Sequence, residues 1–340
     1  MLEAPRQALA GEEAWIVGGA VRDELLGRPV LDLDIACRDP ERVARAYARL
    51  ARGAPFPLSD RHGAWRVAFR DGRTVDFTPL RDGIEADLAT RDFTINAIAE
   101  PLAGGARLDP FGGERDLAGR TIRVVSQSVF SDDPLRLLRA VRLEDELGFR
   151  LDEATEGLVR RQADLAVRPA GERILGELLR LSTAGYRRLA ELGLLAALGG
   201  SNERAERAEL VDSPEFRLVA FLGEAALALP ISNELRRYAR TLLRAEPPAD
   251  DSPRVIHRFR RATRPWELDA LAFVGAERFA DAVRAARERE PAEPLVRGNE
   301  LGLPPGPERG RWLARIEEER AAGTISTREE ALELVRRHAR

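Results

Sequence analysis

The stretch Val17-Gly18-Gly19-Ala20-Val21-Arg22-Asp23, followed by Asp32-Leu33-Asp34, constrains this chain more than any other feature. It reads as a strand, a glycine turn into a short helix, and a second strand carrying two carboxylates. Ile16 and Val17 supply the buried strand before the turn. Leu31, Leu33 and Ile35 alternate with Asp32 and Asp34, which sends the apolar side chains inward and both aspartates to the other face, at a sheet edge. Residues i and i+2 of a strand share a face, roughly 7 Å apart. Two carboxylates so placed suit Mg²⁺, which takes one or two of them plus substrate phosphate oxygens. The Gly18-Gly19 turn offers backbone N–H groups to a triphosphate, and Arg22 adds positive charge beside it. A lone Gly-Gly is usually a turn, and a lone Asp-x-Asp an Asx cap. Their order and spacing, with a strand before each, point instead to nucleotidyl transfer.

Further motifs follow in order. They are Thr90-Arg91-Asp92-Phe93-Thr94-Ile95-Asn96-Ala97, Leu108-Asp109-Pro110-Phe111-Gly112-Gly113, Asp132-Asp133-Pro134-Leu135-Arg136-Leu137-Leu138-Arg139-Ala140-Val141-Arg142 and Glu172-Arg173-Ile174-Leu175-Gly176-Glu177-Leu178. Together with the first motif they span about Ala14 to Leu181. The set resembles the class II tRNA nucleotidyltransferases and bacterial poly(A) polymerases, members of the polymerase β-like superfamily. The resemblance implies an α/β catalytic head of polymerase β-like type followed by an all-α neck, body and tail.

The pattern along the chain agrees. Up to about Val125, short apolar runs alternate with turns, and Arg70-Asp71-Gly72-Arg73 reads as a hairpin between Trp65–Phe69 and Thr74–Phe77. From about Ser126 the spacing of leucine and alanine is helical almost throughout. Breaks near Leu198-Gly199-Gly200, Glu246-Pro247-Pro248 and Leu303-Pro304-Pro305-Gly306 subdivide it. The expected pieces are a head at 1–125, a neck at 126–185 that recognises the nucleotide, a body at 186–265 and a tail at 266–340 that binds tRNA.

Composition excludes several classes. No run of eighteen apolar residues is present and the N-terminus lacks a signal-peptide pattern, so neither a membrane nor export is expected. The single cysteine, Cys37, rules out an internal disulfide framework and suits the cytoplasm; a small buried hydrophobe is its expected role. His62, His257 and His338 are too scattered for a metal cluster, and without a His-Asp doublet no fused phosphohydrolase domain is expected. The formal net charge is −3 although all 54 basic residues are arginine. RNA binding then depends on where the arginines gather, with acids such as Glu317, Glu318 and Glu319 on the outside. The arginine bias is equally consistent with a G+C-rich coding sequence. No protein partner is expected.

Asp32 and Asp34 are the expected metal ligands and catalytic carboxylates, with Mg²⁺ as cofactor. Asp76, on the strand from Thr74 to Thr78, is either an ordinary exposed strand aspartate or a third catalytic carboxylate delivered by antiparallel pairing with the Asp32/Asp34 strand. A helical second motif would put Asp92 and Asn96 on one face, with Arg91 beside them, to grip a ribose hydroxyl and the triphosphate. The family usually has two adjacent arginines here, whereas this chain has Thr90 before Arg91. Asp133 and Arg136 are predicted at a helix start capped by Ser131 or Asp132, with Pro134 in the first turn. A carboxylate accepts from an amino group and a guanidinium donates to a ring nitrogen, so CTP and ATP fit whereas UTP and GTP invert both bonds. An N-capped helix with an i, i+3 ion pair is the plainer reading of the same residues. The resemblance adds Arg139 and Arg142 to the nucleotide-binding set and tRNA as the partner. It also makes the segment Asp82–Ala89 informative, because CCA-adding relatives carry a longer flexible loop there that switches the pocket from CTP to ATP. Its shortness implies addition of the two cytidines alone, or completion of CCA by other means. The stretch Arg254–Arg264 reads either as a tRNA contact or as a solvated helix face.

Overall fold

The structure is a computed structural model that describes residues 13–30, 32–59 and 63–338. Leu31, His62 and the His338 side chain, for which expectations were given, lie outside the described residues. Two compact units divide the chain, Met1–Leu198 and Gly199–Arg340.

In the first unit, strands β1 (Ala14–Val17), β2 (Asp32–Cys37), β3 (Ala54–Ser59), β4 (Ala64–Ala68), β5 (Thr74–Pro79) and β6 (Ala99–Pro101) form one sheet in the order β3-β4-β5-β2-β1-β6. The alternation in β2 is realised, with Leu33 and Ile35 buried while Asp32 is exposed and Asp34 half-buried. Two expectations are corrected. The Asp32/Asp34 strand lies in the interior of the sheet, between β1 and β5, rather than at an edge. And β5 runs parallel to β2, with Asp34 opposite Asp76. A parallel partner needs a crossover, supplied by helix α2 (Pro40–Ala51) and the β3–β4 hairpin. Asp39 caps α2 by accepting from Arg42 N at 3.1 Å. The helix buries Val43, Ala44, Tyr47 and Ala48, and the Tyr47 ring packs against Phe69 and Phe77. The β4–β5 hairpin forms as its turn residues require.

Helix α1 (Gly19–Leu25) follows the glycine turn. Helix α3 (Ile84–Ala89) occupies the short connection before the second motif. Its Ile84 and Leu88 are buried in a cluster with Val17, Ala36, Leu80, Ala97 and Ala99, so the segment is a packed part of the core. Helix α4 (Gly113–Ala118) lies against the 3₁₀ turn Thr94–Asn96. The helical segment begins with α5 (Val129–Asp132) and α6 (Arg136–Leu147), followed by α7 (Glu153–Arg161), α8 (Gly171–Leu178) and α9 (Thr183–Glu191). One small parallel ladder was not legible in the pattern: β7 (Thr121–Ile122) pairs with β8 (Arg150–Leu151). With Arg123 bonded to both Asp116 and Asp152, it ties the expected head to the expected neck within one unit. The boundary expected after residue 185 falls inside α9.

The second unit is helical among its described residues, with breaks at 246–248 and 303–306 where the prolines predict them. Ser213 and Ser232 cap their helices by accepting from Phe216 N and Leu235 N. No single helix among the described residues is long and apolar enough to cross a membrane. Cys37 is fully buried, as expected.

Candidate active site

The N-terminus of α1 is made by Gly18, whose φ of 73° favours glycine. A Cβ there would also lie 3.2 Å from Arg91 Nη1 and 3.4 Å from an Asp34 oxygen, so the turn, the strand carboxylate and the second-motif arginine meet at this point. No side chain caps α1. Arg22, one turn in, is buried; it donates to both Asp23 oxygens at 2.9 and 3.0 Å and to Asn96 Oδ1 at 2.7 Å.

Burial pushes the Asp34 carboxyl up, opposed by Arg91 and reinforced by the neighbouring charges of Asp76 and Asp32. Asp32 stays exposed and accepts from Thr74 Oγ1 at 2.8 Å. Asp76 is taken by Arg66, which donates to both its oxygens at 2.7 Å. Among the described residues, no group of three or more His, Cys, Asp or Glu is arranged to hold a metal.

The second motif is not an α-helix at Asp92, which corrects the geometry expected for it. Phe93 is extended and bridged to Val124, and only Thr94–Asn96 turn as a 3₁₀ helix. Asp92 and Asn96 still meet, Asn96 Nδ2 donating to Asp92 Oδ1 at 2.9 Å. Phe93 N gives Oδ1 a second bond at 2.9 Å, and Arg139 gives Oδ2 two, at 2.9 and 2.7 Å. Burial pushes the Asp92 carboxyl up, but Arg139 and these hydrogen bonds outweigh it and hold it low. Arg91 turns the other way and donates to Asp87 on α3.

The helix expected to start at Ser131 or Asp132 also differs. Both residues end α5, and Asp133 is extended, at φ −143° and ψ 98°, because a residue before proline is driven out of the helical region. α6 begins at Arg136, and Asp133 Oδ1 accepts from Leu135 N at 3.2 Å. The Asp133 and Arg136 side chains bond other groups, although Arg136 N donates to the Asp133 carbonyl at 3.0 Å. Asp133 receives the fork of Arg173, at 3.2 and 2.8 Å, while Arg136 Nη2 donates to the Thr90 carbonyl at 2.7 Å. Arg139 and Arg142 both reach Glu177, at 3.6 and 2.5 Å, and Arg142 continues to Glu146.

The charged and amide side chains named above, apart from Arg66, Asp76, Asp132 and Glu177, line one cleft of about 870 Å³ in the first unit, room for a nucleoside triphosphate. Every site residue expected from the sequence is there apart from Asp76. The cleft also contains residues that sequence reasoning missed: Arg28, Asp87, Arg173 and Arg180. Arg173 and Glu177 belong to the last motif and are i, i+4 on α8, a spacing that flags one shared face toward α6.

Residues 14–123 match the poly A polymerase head domain family. The A-adding tRNA nucleotidyltransferase of Deinococcus radiodurans is 35% identical over 421 residues, covering 96% of this chain and 95% of that protein. The CC-adding tRNA nucleotidyltransferase of Geobacter sulfurreducens is 47% identical over 174 residues, covering 50% of this chain and 40% of that protein. Among solved structures, the Thermotoga maritima CCA-adding enzyme complexed with tRNA superposes with a TM-score of 0.74 at 25% identity, covering all of this chain and 94% of that one. With a head domain that matches, a near full-length relative and a shared fold, this chain belongs to the family of tRNA nucleotidyltransferases and bacterial poly(A) polymerases.

Proposed function

We propose that this enzyme adds nucleotides to the 3′ end of tRNA, taking CTP and ATP without a nucleic-acid template, in the cytoplasm. The observation that carries the reading is the convergence on one cleft of the Asp32/Asp34 pair, the Asp133/Arg136 pair and several further arginines. The donor set fits Mg²⁺: two hard carboxylates suffice when substrate phosphates complete the shell, and Asp32 and Asp34 both open onto the cleft from one strand. Bound there, two Mg²⁺ ions would activate the attacking 3′-hydroxyl and steady the departing pyrophosphate in an in-line displacement. Asp32 and Asp34 would hold them, and Asp76, clasped by Arg66, would tune Asp34 from the next strand.

The remaining roles fall to the chain's own groups. Gly18 and Gly19 let the backbone approach the triphosphate, with Arg22 and Arg91 supplying charge. Asn96, whose oxygen is already filled by Arg22, keeps an N–H for a ribose hydroxyl. Asp92 positions Asn96 and Arg139, and Arg139 and Arg142 set the positive wall toward the base. Asp133 and Arg136 read the base edge. The test is product sequencing on tRNA lacking CCA, with each nucleotide supplied singly and CTP and ATP together. CMP or AMP should be added and UMP and GMP refused, with loss of addition in Asp32→Ala and Asp34→Ala; the absence of any addition by the wild-type enzyme would overturn the reading.

A second reading, addition of the two cytidines alone, is favoured by α3. That helix stands where a flexible loop would re-aim the base readers, its Ile84 and Leu88 are fixed in the core, and the Thr90 carbonyl just beyond it holds Arg136. Efficient addition of AMP to tRNA ending in CC, after addition of both cytidines, would restore full CCA synthesis. AMP addition with no CMP addition would assign the activity named for the Deinococcus relative.

A further inference from the structure

Each of the two base-reading side chains is fixed by a third group rather than by the other. We infer that Arg173, on α8, is the specificity-determining positioning residue of this site: its fork on Asp133 leaves that carboxylate one acceptor position, which faces the incoming base. The inference rests on the functional reading above.

A carboxylate has about four acceptor positions, two on each oxygen. On Asp133 Oδ1 both are filled, by Leu135 N and by Arg173 Nη1. On Oδ2 one is filled, by Arg173 Nη2 at 2.8 Å. The one left matches the single N–H that cytosine or adenine turns toward it from the exocyclic amine. A two-pronged fork also fixes the plane of the carboxylate, which a single bond does not. The fork comes from a helix anchored independently. Four residues on, Glu177 is buried and accepts from Arg142, so α8 is tied to α6 at a second place on the same face. On the other side of the base, Arg136 spends Nη2 on the Thr90 carbonyl and keeps its remaining donors for the ring nitrogen.

Without the fork, Asp133 retains only the bond from Leu135 N. It is then able to rotate, and a carboxyl that takes up a proton donates to the carbonyl of uracil or guanine instead of rejecting it. Selectivity fails before catalysis does, because Arg173 touches neither the Asp32/Asp34 pair nor the arginines beside Gly18. Arg173 is half-exposed, so its replacement leaves the buried core untouched.

The experiment uses the full chain with Arg173→Gln and Arg173→Lys. Steady-state addition to tRNA is measured for the amino-bearing nucleotides CTP and ATP and for the carbonyl-bearing UTP and GTP. Calorimetric binding of the same four nucleotides is measured without tRNA. In Arg173→Gln, the preference for the better amino-bearing nucleotide over its carbonyl-bearing counterpart should fall about tenfold. The loss should appear in KM and in direct binding, with kcat changed far less. Arg173→Lys should recover part of the preference through its single retained contact. A preference unchanged in Arg173→Gln, whether rates stay normal or fall equally for all four nucleotides, would overturn the assignment. A wild-type protein that binds none of the four would overturn the functional reading instead, and the assignment with it.

Discussion

At the scale of single residues, the site combines carboxylates that are saturated with one that is frustrated. Asp92 accepts four hydrogen bonds and Asp76 a bidentate fork, whereas Asp34 is half-buried beside two like charges. The folded protein therefore holds the Asp34 proton more tightly than the unfolded chain does. Ionised Asp34 opposes folding at neutral pH, and that cost disappears as the pH falls through its raised value. Asp34→Asn should accordingly melt above the wild type near pH 8 and lose its advantage on acidification. Adding Mg²⁺ should raise the wild-type Tm and leave the variant nearly unmoved; equal shifts in both would remove Asp34 from the metal site. Asp92 is the opposite case. Asp92→Ala strands the guanidinium of Arg139 and the amide of Asn96, and should destabilise by about 3–5 kcal/mol in urea unfolding. The types and spacing of these residues were legible in the sequence. Their partners were less so: Arg66 meets Asp76 across the predicted hairpin once its register is fixed, but Arg173 for Asp133 lies 40 residues away with no local signal.

At the scale of elements, local chemistry decided starts and stops, and tertiary packing decided everything between. Asp39 before Pro40 makes a capped helix, and Asp133 before Pro134 makes a break where the motif alone suggested a helix start. A helical second motif would bring Asp92 and Asn96 together as an i, i+4 pair. Burial of Phe93 in an extended bridge to Val124 overrode that, yet the 3₁₀ turn still brings Asn96 to Asp92. The support under that turn is α4, where a Cβ at Gly113 would stand 2.2 Å from the Thr94 carbonyl oxygen and 2.8 Å from Ile98 Cγ1. Gly113→Ala must push the turn aside. It should destabilise by about 1–3 kcal/mol as an overpacked contact, and it should weaken nucleotide binding through Asn96, which calorimetry would register. Unchanged affinity would show that the turn is not set by α4.

At the scale of the whole molecule, the net charge of −3 is 54 arginines against 57 acids, and many of the arginines are paired with those acids. In the second unit, Arg254 and Arg258 on the helix Pro253–Thr263 are bonded to Glu318 and Glu319, which were expected on the outside and are instead largely covered. The groove between them retains Arg261, Arg311 and Arg315. If this face meets tRNA, Glu318→Gln with Glu319→Gln should tighten tRNA binding and steepen its dependence on salt, because each arginine released neutralises a phosphate and frees a counterion. Unchanged affinity across a salt series would assign the arginine-rich helix to internal pairing alone. What the sequence determined by itself was whatever rests on neighbours along the chain: the glycine turn at Gly18, the alternation that separates Leu33 and Ile35 from the aspartates, the proline breaks and the helical arm. Only the tertiary structure decided that β5 pairs parallel to β2, that α3 is core rather than loop, and which acid each arginine meets. Those choices minimise buried unpaired charge and exposed apolar surface over the whole chain at once, so no local stretch of residues encodes them.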